Sequence, residues 1–170
     1  MWVFDATPLI YLAKVGRLRL VGALEGPCCV PQPVYDEVVT TGLKAGYPDA
    51  RRIEQCVDSG HVEVVSVVNT QLEPRLDENP QLSEADVAVL GCAASRGAVA
   101  VMDDAAGRRA ADIEGIETRG AAYIVLSCAK RGIISVSEAR DIIDSMIDAG
   151  WYCAPDVYAQ LVKKLESFER

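Results

Sequence analysis

Short apolar runs that alternate with helical segments limit the possible folds of this chain more than any other feature. Residues 1–5, 28–30, 62–68 and 98–102 have the apolar, β-branched character of buried strands, and a brief further strand is predicted at residues 116–118. Segments with helical periodicity follow these runs, so a parallel sheet covered by helices on both faces is expected. We therefore predict an α/β/α sandwich with a central parallel sheet of four or five strands.

The C-terminal part of the chain is predicted to contain only helices, at residues 135–149 and 155–168. Residues 40–48 and 69–81 are interrupted by glycine or proline and are predicted as loops. At 170 residues, the chain is long enough for one well-buried core and short for two ordinary domains. We expect a single domain over residues 1–170, with residues 135–170 forming a helical hairpin packed on it.

Acidic residues follow directly after two of the predicted strands. Asp5 ends the first apolar run, and Asp103 and Asp104 end the run that begins at residue 98. Because ligands of parallel sheets bind beyond the carboxyl ends of the strands, these acids are candidates for a functional site. A solvent-exposed surface position does not explain charged residues that come directly after strands predicted to be buried.

Further acids could join this edge of the sheet. Glu37 lies in the helix predicted after the second strand, although it could equally be a solvated helix position, and Glu84 or Asp86 lies in the first turn of a later helix. Crowded carboxylates repel one another unless a cation offsets their charge. Oxygen ligands favour Mg²⁺ or Mn²⁺, and two such ions could assist cleavage of a phosphodiester.

Helix capping is the alternative explanation for most of these acids. Ser83 and Asp86 match a capping box, and Asp104 could cap the helix that follows it. Asp5 together with Thr7 could cap the first helix. Since acids are also favoured at helix starts by the helix dipole, the pattern is partly a consequence of the fold itself.

Composition narrows the function classes. A net charge of −8 argues against binding nucleic acid through a broad basic face, but carboxylates around a cation would be neutralised locally. With one histidine and six cysteines that form no C-x-x-C pair, a zinc site is disfavoured. The apolar runs are far shorter than the roughly 20 residues of a membrane helix, so we expect a cytoplasmic protein without membrane association.

Four segments together resemble the PIN-domain nucleases, in particular the small prokaryotic branch related to the toxin of VapBC-type toxin–antitoxin pairs. They are residues 3–10 (VFDATPLI), 30–38 (VPQPVYDEV), 82–88 (LSEADVA) and 101–104 (VMDD). Residues 119–132 are similar to a PIN-like branch in which a glycine-led helix precedes two final helices. Many relatives carry a hydroxyl residue directly after that glycine, where this chain has Ala121.

The resemblance implies a metal-dependent endoribonuclease, acting on RNA with Mg²⁺ or Mn²⁺. The positions that match the family's four acids are Asp5, Glu37, Asp86 and Asp104. Asp5, Asp86 and Asp104 would bind the metal, Glu37 would orient a water or complete the shell of a second ion, and Thr7 would assist near the first acid. Glu84 and Asp103 are alternatives for the third and fourth positions. Basic residues close to the predicted edge could contact the RNA backbone, although each could equally be a solvated helix charge; they are Arg108, Arg109 and Arg119.

The resemblance also implies homodimerisation and an antitoxin protein as a partner. The main alternative is a PIN-like scaffold without turnover. Its partner helix would lie in an apolar groove lined by Leu9, Leu12, Leu18 and Leu20, although these leucines could also be ordinary core residues.

A phosphatase of the haloacid-dehalogenase type also has an aspartate after its first strand. It requires a second aspartate two residues later, where this chain has Thr7.

Overall fold

A computed structural model describes residues 1–66 and 71–169, and these form a parallel five-stranded sheet in the order β3-β2-β1-β4-β5. The strands are β1 (Trp2–Phe4), β2 (Cys28–Pro31), β3 (Glu63–Val65), β4 (Val99–Val101) and β5 (Thr118–Arg119). The predicted parallel sheet is therefore confirmed. The third strand was predicted to run to residue 68, and residues 67 and 68 lie outside the described part of the chain.

The α-helices alternate with these strands, as the sequence pattern predicts. Their bounds are α1 (Ala6–Lys14), α2 (Gln32–Tyr35), α3 (Gly42–Lys44), α4 (Pro48–Asp58), α5 (Glu73–Asp77), α6 (Glu84–Arg96), α7 (Ala105–Ile113), α8 (Ala121–Lys130), α9 (Val136–Asp148) and α10 (Pro155–Ser167). A 3₁₀ segment, Leu18–Ala23, precedes β2, and a π-helical segment, Asp36–Thr41, connects α2 to α3.

Two segments predicted as loops are partly helical. The helix that begins at Gln32 continues through the π-helical segment to Lys44, although residues 40–48 were predicted as a loop. Its extension packs closely on α4, because a Cβ atom at Gly42 would lie only 2.7 Å from the Cβ atom of Ala50. Tertiary packing thus overrides the glycine signal there. In residues 69–81, the described part contains the short helix α5.

The core lies on both faces of the sheet. On one face α6 packs against β1, β2 and β4, while α1, α4, α8 and α9 pack on one another in a second helical layer. Phe4, Leu90, Ile124 and Met146 are fully buried among these elements. Helices α9 and α10 contact each other and α8.

The leucine groove proposed for a partner helix is mostly interior. Leu9, Leu12 and Leu20 are buried in the core. The prediction that these leucines are ordinary core residues is therefore confirmed, and the prediction that they line an exposed groove is wrong. None of the helices among the described residues has the length and apolar character that a membrane-spanning segment requires.

Candidate active site

The register of the sheet brings the acidic strand ends together. Strand β1 pairs with β4 with Phe4 beside Val101, and the amide of Asp5 donates to the carbonyl of Val101 at 2.9 Å. Asp103 and Asp104 follow Val101 closely along the chain. The acids predicted at one edge therefore follow the carboxyl ends of two neighbouring strands.

Asp5 is a buried carboxyl group, with 6% of its surface exposed. It precedes α1, yet its side chain makes no capping hydrogen bond to that helix, so the capping explanation does not account for it. The pKa of Asp5 is raised to about 7, mainly by burial. The amide of Ala6 lowers this pKa, while the charges of Asp86 and Glu37 and a hydrogen bond to Asp86 raise it. Three acids that are distant in sequence thus act on one another.

Glu37 reaches this cluster from the π-helical segment Asp36–Thr41. The residue is exposed at the surface, but desolvation and the nearby charge of Asp86 raise the pKa of its carboxyl group. It therefore lies at the rim of the cluster and not in ordinary solvent. Single π-helical turns inside helices are rare and occur frequently at functional sites.

Asp86 has two roles at the start of α6. The amide of Ser83 donates to Oδ2 of Asp86 at 2.9 Å, and the amide of Asp86 donates to Oγ of Ser83 at 3.1 Å, which confirms the predicted capping box. The same carboxylate faces Asp5 and Glu37. The capping box therefore fixes the orientation of an acid that also belongs to the cluster. Glu84, in the same helical turn, is exposed. Neither Glu84 nor Asp104 is among the acids that shift the pKa of Asp5.

Asp103 is held by two hydrogen bonds from donors distant in the chain. Its Oδ1 accepts a hydrogen bond from the amide of Ala121 at 3.0 Å, and its Oδ2 accepts one from the indole Nε1 of Trp151 at 3.3 Å. Burial raises the pKa of Asp103, and these two donors and the Arg108 charge oppose that rise. Neither the Trp151 contact nor the Ala121 contact was predicted, since both join segments far apart in the chain.

Asp104 is exposed and caps α7, because its Oδ2 accepts a hydrogen bond from the amide of Gly107 at 2.7 Å. This confirms the capping alternative for Asp104. Of the two adjacent aspartates, half-buried Asp103 has both carboxylate oxygens bonded to the protein, and exposed Asp104 uses a single oxygen for its cap.

The other predicted residues lie around this edge. Thr7 is half-buried in the first turn of α1. Arg108 lies beside Asp103, and Arg109 is exposed on the same helix. Arg119, at the end of β5, is ion-paired with Glu117 at 2.7 Å and lies over the ring of Tyr123, so part of its charge is already engaged.

The donor set of the cluster is suited to a hard divalent cation. Asp5, Glu37 and Asp86 provide only carboxylate oxygens, which Mg²⁺ and Mn²⁺ prefer, and a cation would remove the repulsion that raises the pKa of Asp5. Residues 1–66 and 71–169 contain no group of three or more metal-ligating side chains close enough together to bind one ion; the types considered are histidine, cysteine, aspartate and glutamate. The chemistry fits a metal, and the ligands would have to approach one another around it.

A parallel sheet with interacting carboxylates beyond its first strand is the arrangement of α/β/α proteins of the PIN type. A family model described as PIN domain matches residues 1–167, and the chain belongs to the PIN-domain family. PIN domains are in general nucleases. This confirms the resemblance seen in the sequence.

A solved structure supports the same fold. The chain is similar to a chain of VapBC-1 from nontypeable Haemophilus influenzae, with a TM-score of 0.51 and 14% identity over 71% of this chain and 97% of that chain. At this level of identity the likeness establishes the fold alone. No curated protein sequence matches the chain significantly.

Proposed function

We propose that this protein is a metal-dependent endoribonuclease that hydrolyses RNA phosphodiesters at the acidic edge of its sheet. The supporting observation is the buried carboxyl group of Asp5, whose pKa is raised to about 7 in a cluster with Asp86 and Glu37. A hydrogen bond to Asp86 and the charges of Asp86 and Glu37 add to the effect of burial in raising this pKa. These carboxylates would hold a divalent cation, which would offset their negative charge.

Each acid has a proposed role. Asp5, Asp86 and Asp104 hold Mg²⁺ or Mn²⁺, with the Ser83 capping box fixing Asp86 and the α7 cap fixing Asp104. When bound, the ion supplies Lewis acidity toward the phosphate and lowers the pKa of water. Glu37, at the rim, orients the attacking water and accepts its proton.

Three other residues assist or compete for these roles. Thr7 assists beside Asp5. Asp103 is a positioning residue, because both of its oxygens are bonded to protein donors. Glu84, exposed in the first turn of α6, is the less favoured alternative to Asp86.

RNA would reach this edge beside α7 and β5. Arg108, Arg109 and Arg119 would meet phosphate groups, which would position the strand without reading its sequence. We further propose a cytoplasmic, homodimeric protein that serves as the toxin of a toxin–antitoxin pair. This role rests on the resemblance to VapBC-type toxins and on the fold likeness to VapBC-1.

The test is cleavage of a labelled single-stranded RNA by the purified protein with Mn²⁺, with Mg²⁺ and with EDTA. The wild-type protein should cut only with a metal, and Asp5→Asn, Asp86→Asn and Glu37→Gln should each abolish cutting while the circular dichroism spectrum is unchanged. Asp141→Asn, an exposed aspartate on α9, is the matched control and should cut normally. Undiminished cleavage by Asp5→Asn would refute the proposal.

The second candidate is a PIN-like binding protein without turnover. It is favoured by one observation, namely that the described residues contain no group of three metal-ligating side chains already arranged around a common point. Protein that binds Mn²⁺ with the Asp5 cluster but cuts no RNA would support it. Turnover that is lost in Asp5→Asn would exclude it.

A further inference from the structure

A cavity of about 470 Å³ lies between α8 and α10, beside the start of β1 and away from the acidic cluster. Three aromatic side chains line it: Trp2, Tyr123 and Phe168. The rings of Trp2 and Tyr123 are tilted by 33° with centroids 5.8 Å apart, and Tyr123 is 38% exposed. Ring faces in an open cavity provide a surface on which a planar ligand can stack.

Positive charges surround these rings although the whole chain carries a net charge of −8. Lys130, Arg131 and Lys164 line the cavity, and Glu25 is its acidic residue. Arg131 lies 3.6 Å from Glu25, and the ammonium group of Lys164 lies 5.9 Å from the centroid of the Phe168 ring. The cavity is therefore cationic and aromatic at once, which suits an aromatic ligand that carries negative charge.

Arg119 adjoins the cavity through the ring of Tyr123. This residue ends β5 beside Val101 of β4, and its guanidinium group lies 5.1 Å from the centroid of the Tyr123 ring. Trp2 begins the strand that Asp5 follows, so the two lie roughly 10 Å apart along the sheet at about 3.3 Å per residue. The cavity is therefore close enough to the proposed cleavage site for one RNA strand to reach both.

We propose that this cavity is a second RNA-binding site, which holds an unpaired nucleotide of the substrate strand outside the cleaved bond. The base stacks on Tyr123 or Phe168, and Lys130 and Lys164 contact the flanking phosphates. Aromatic faces accept any base, and lysines neutralise the backbone, which is the usual combination in proteins that bind single strands without strict sequence preference. Paired bases could not present their faces in this way, so the site selects single-stranded RNA. This inference rests on the proposed function.

The test is binding of a fluorescein-labelled single-stranded oligoribonucleotide, measured by anisotropy in EDTA so that no cleavage occurs. Tyr123→Leu should weaken binding about 10-fold, within the range for loss of one stacked base. Lys164→Ala should weaken it and reduce the slope of log affinity against log salt by about 1, as expected for one phosphate contact. RNA should also quench tryptophan fluorescence, and Trp2→Phe should remove that quenching.

The chain offers a matched control for each variant. Lys163 is the exposed neighbour of Lys164 on α10, and Tyr152 is 85% exposed; neither lines the cavity. Lys163→Ala and Tyr152→Leu should bind RNA as the wild type does. Equal affinities of Lys163→Ala and Lys164→Ala, together with unchanged binding by Tyr123→Leu, would overturn the inference. So would variants that keep their RNA affinity but lose affinity for an acidic peptide, since the cavity would then serve a protein partner.

A cleavage assay with Mn²⁺ separates this inference from the proposed function. If wild-type protein cuts RNA and the cavity variants bind it normally, the nuclease assignment stands and the second site is refuted. If wild-type protein binds RNA through the cavity but does not cut it, the site stands and the nuclease assignment fails.

Discussion

Replacing Asp5 by asparagine should stabilise the metal-free protein at neutral and alkaline pH. The pKa of this carboxyl group is raised from 3.8 to about 7, so the folded chain holds its proton more tightly than the unfolded chain does. The resulting stabilisation is fully present below pH 3.8 and is lost as the pH rises through about 7. At 1.36 kcal/mol per pKa unit, the loss in free energy of unfolding is roughly 4 kcal/mol.

Asparagine keeps the shape of the side chain but cannot ionise, so the variant lacks this pH dependence. The measurement is urea unfolding of wild-type protein and Asp5→Asn in EDTA, at several values between about pH 4 and about pH 8. The difference between the two free energies should grow by roughly 4 kcal/mol across that range. Because the other carboxyl groups titrate in both proteins, their contribution cancels in the difference between the two free energies of unfolding.

Mn²⁺ should reduce this difference at high pH, because only the wild-type cluster presents the full set of carboxylates. Saturation at 100 times the dissociation constant would add about 2.7 kcal/mol to the wild type. Asp141→Asn, on the surface of α9, should follow the wild type throughout. Parallel pH curves for wild type and Asp5→Asn would refute the argument, because Asp5 would then be solvated in the folded protein.

Substitutions at three further positions test the contacts around the site. Asp104→Ala should cost about 1 kcal/mol through loss of the α7 cap, and Asp104→Ser should recover most of it in thermal unfolding but no cleavage. Trp151→Phe leaves one oxygen of half-buried Asp103 without its donor and should lower the free energy of unfolding by about 1–3 kcal/mol, measured with urea. Gly42→Ala should destabilise the protein despite the better helix propensity of alanine, since the new methyl group would lie 2.7 Å from the Cβ atom of Ala50; an unchanged melting temperature would show that the helices separate easily.

The sheet and the acidic strand ends could be predicted because their causes are local. Buried parallel strands require apolar runs, and an acid directly after such a run has to lie at the carboxyl edge. The helix after Asp104 was also predicted, since Asp104 supplies a cap at its start, and the structure has it as α7. The capping box at Ser83 was also visible in the sequence, for the same local reason.

The rest depends on contacts that no local pattern encodes. Trp151 contacts Asp103, from which it is 48 residues away in the chain. The local sequence does not show which of Asp103 and Asp104 turns inward to make this contact. The π-helical turn that carries Glu37 has the same residue types as an ordinary helix. Packing against α4 extends that helix beyond the point where Gly42 and the following residues predicted its end. Side-chain direction and long-range packing were the missing information in each case.

The position of β1 in the middle of the sheet has a consequence for the newly made protein. Asp5 follows β1, whose neighbours on either side are β2 and β4, and β4 ends only at Val101. A nascent chain therefore carries Asp5 without the strand that completes the edge until β4 has been made. For the proposed nuclease, this order of assembly would delay activity until the chain has been translated past Val101.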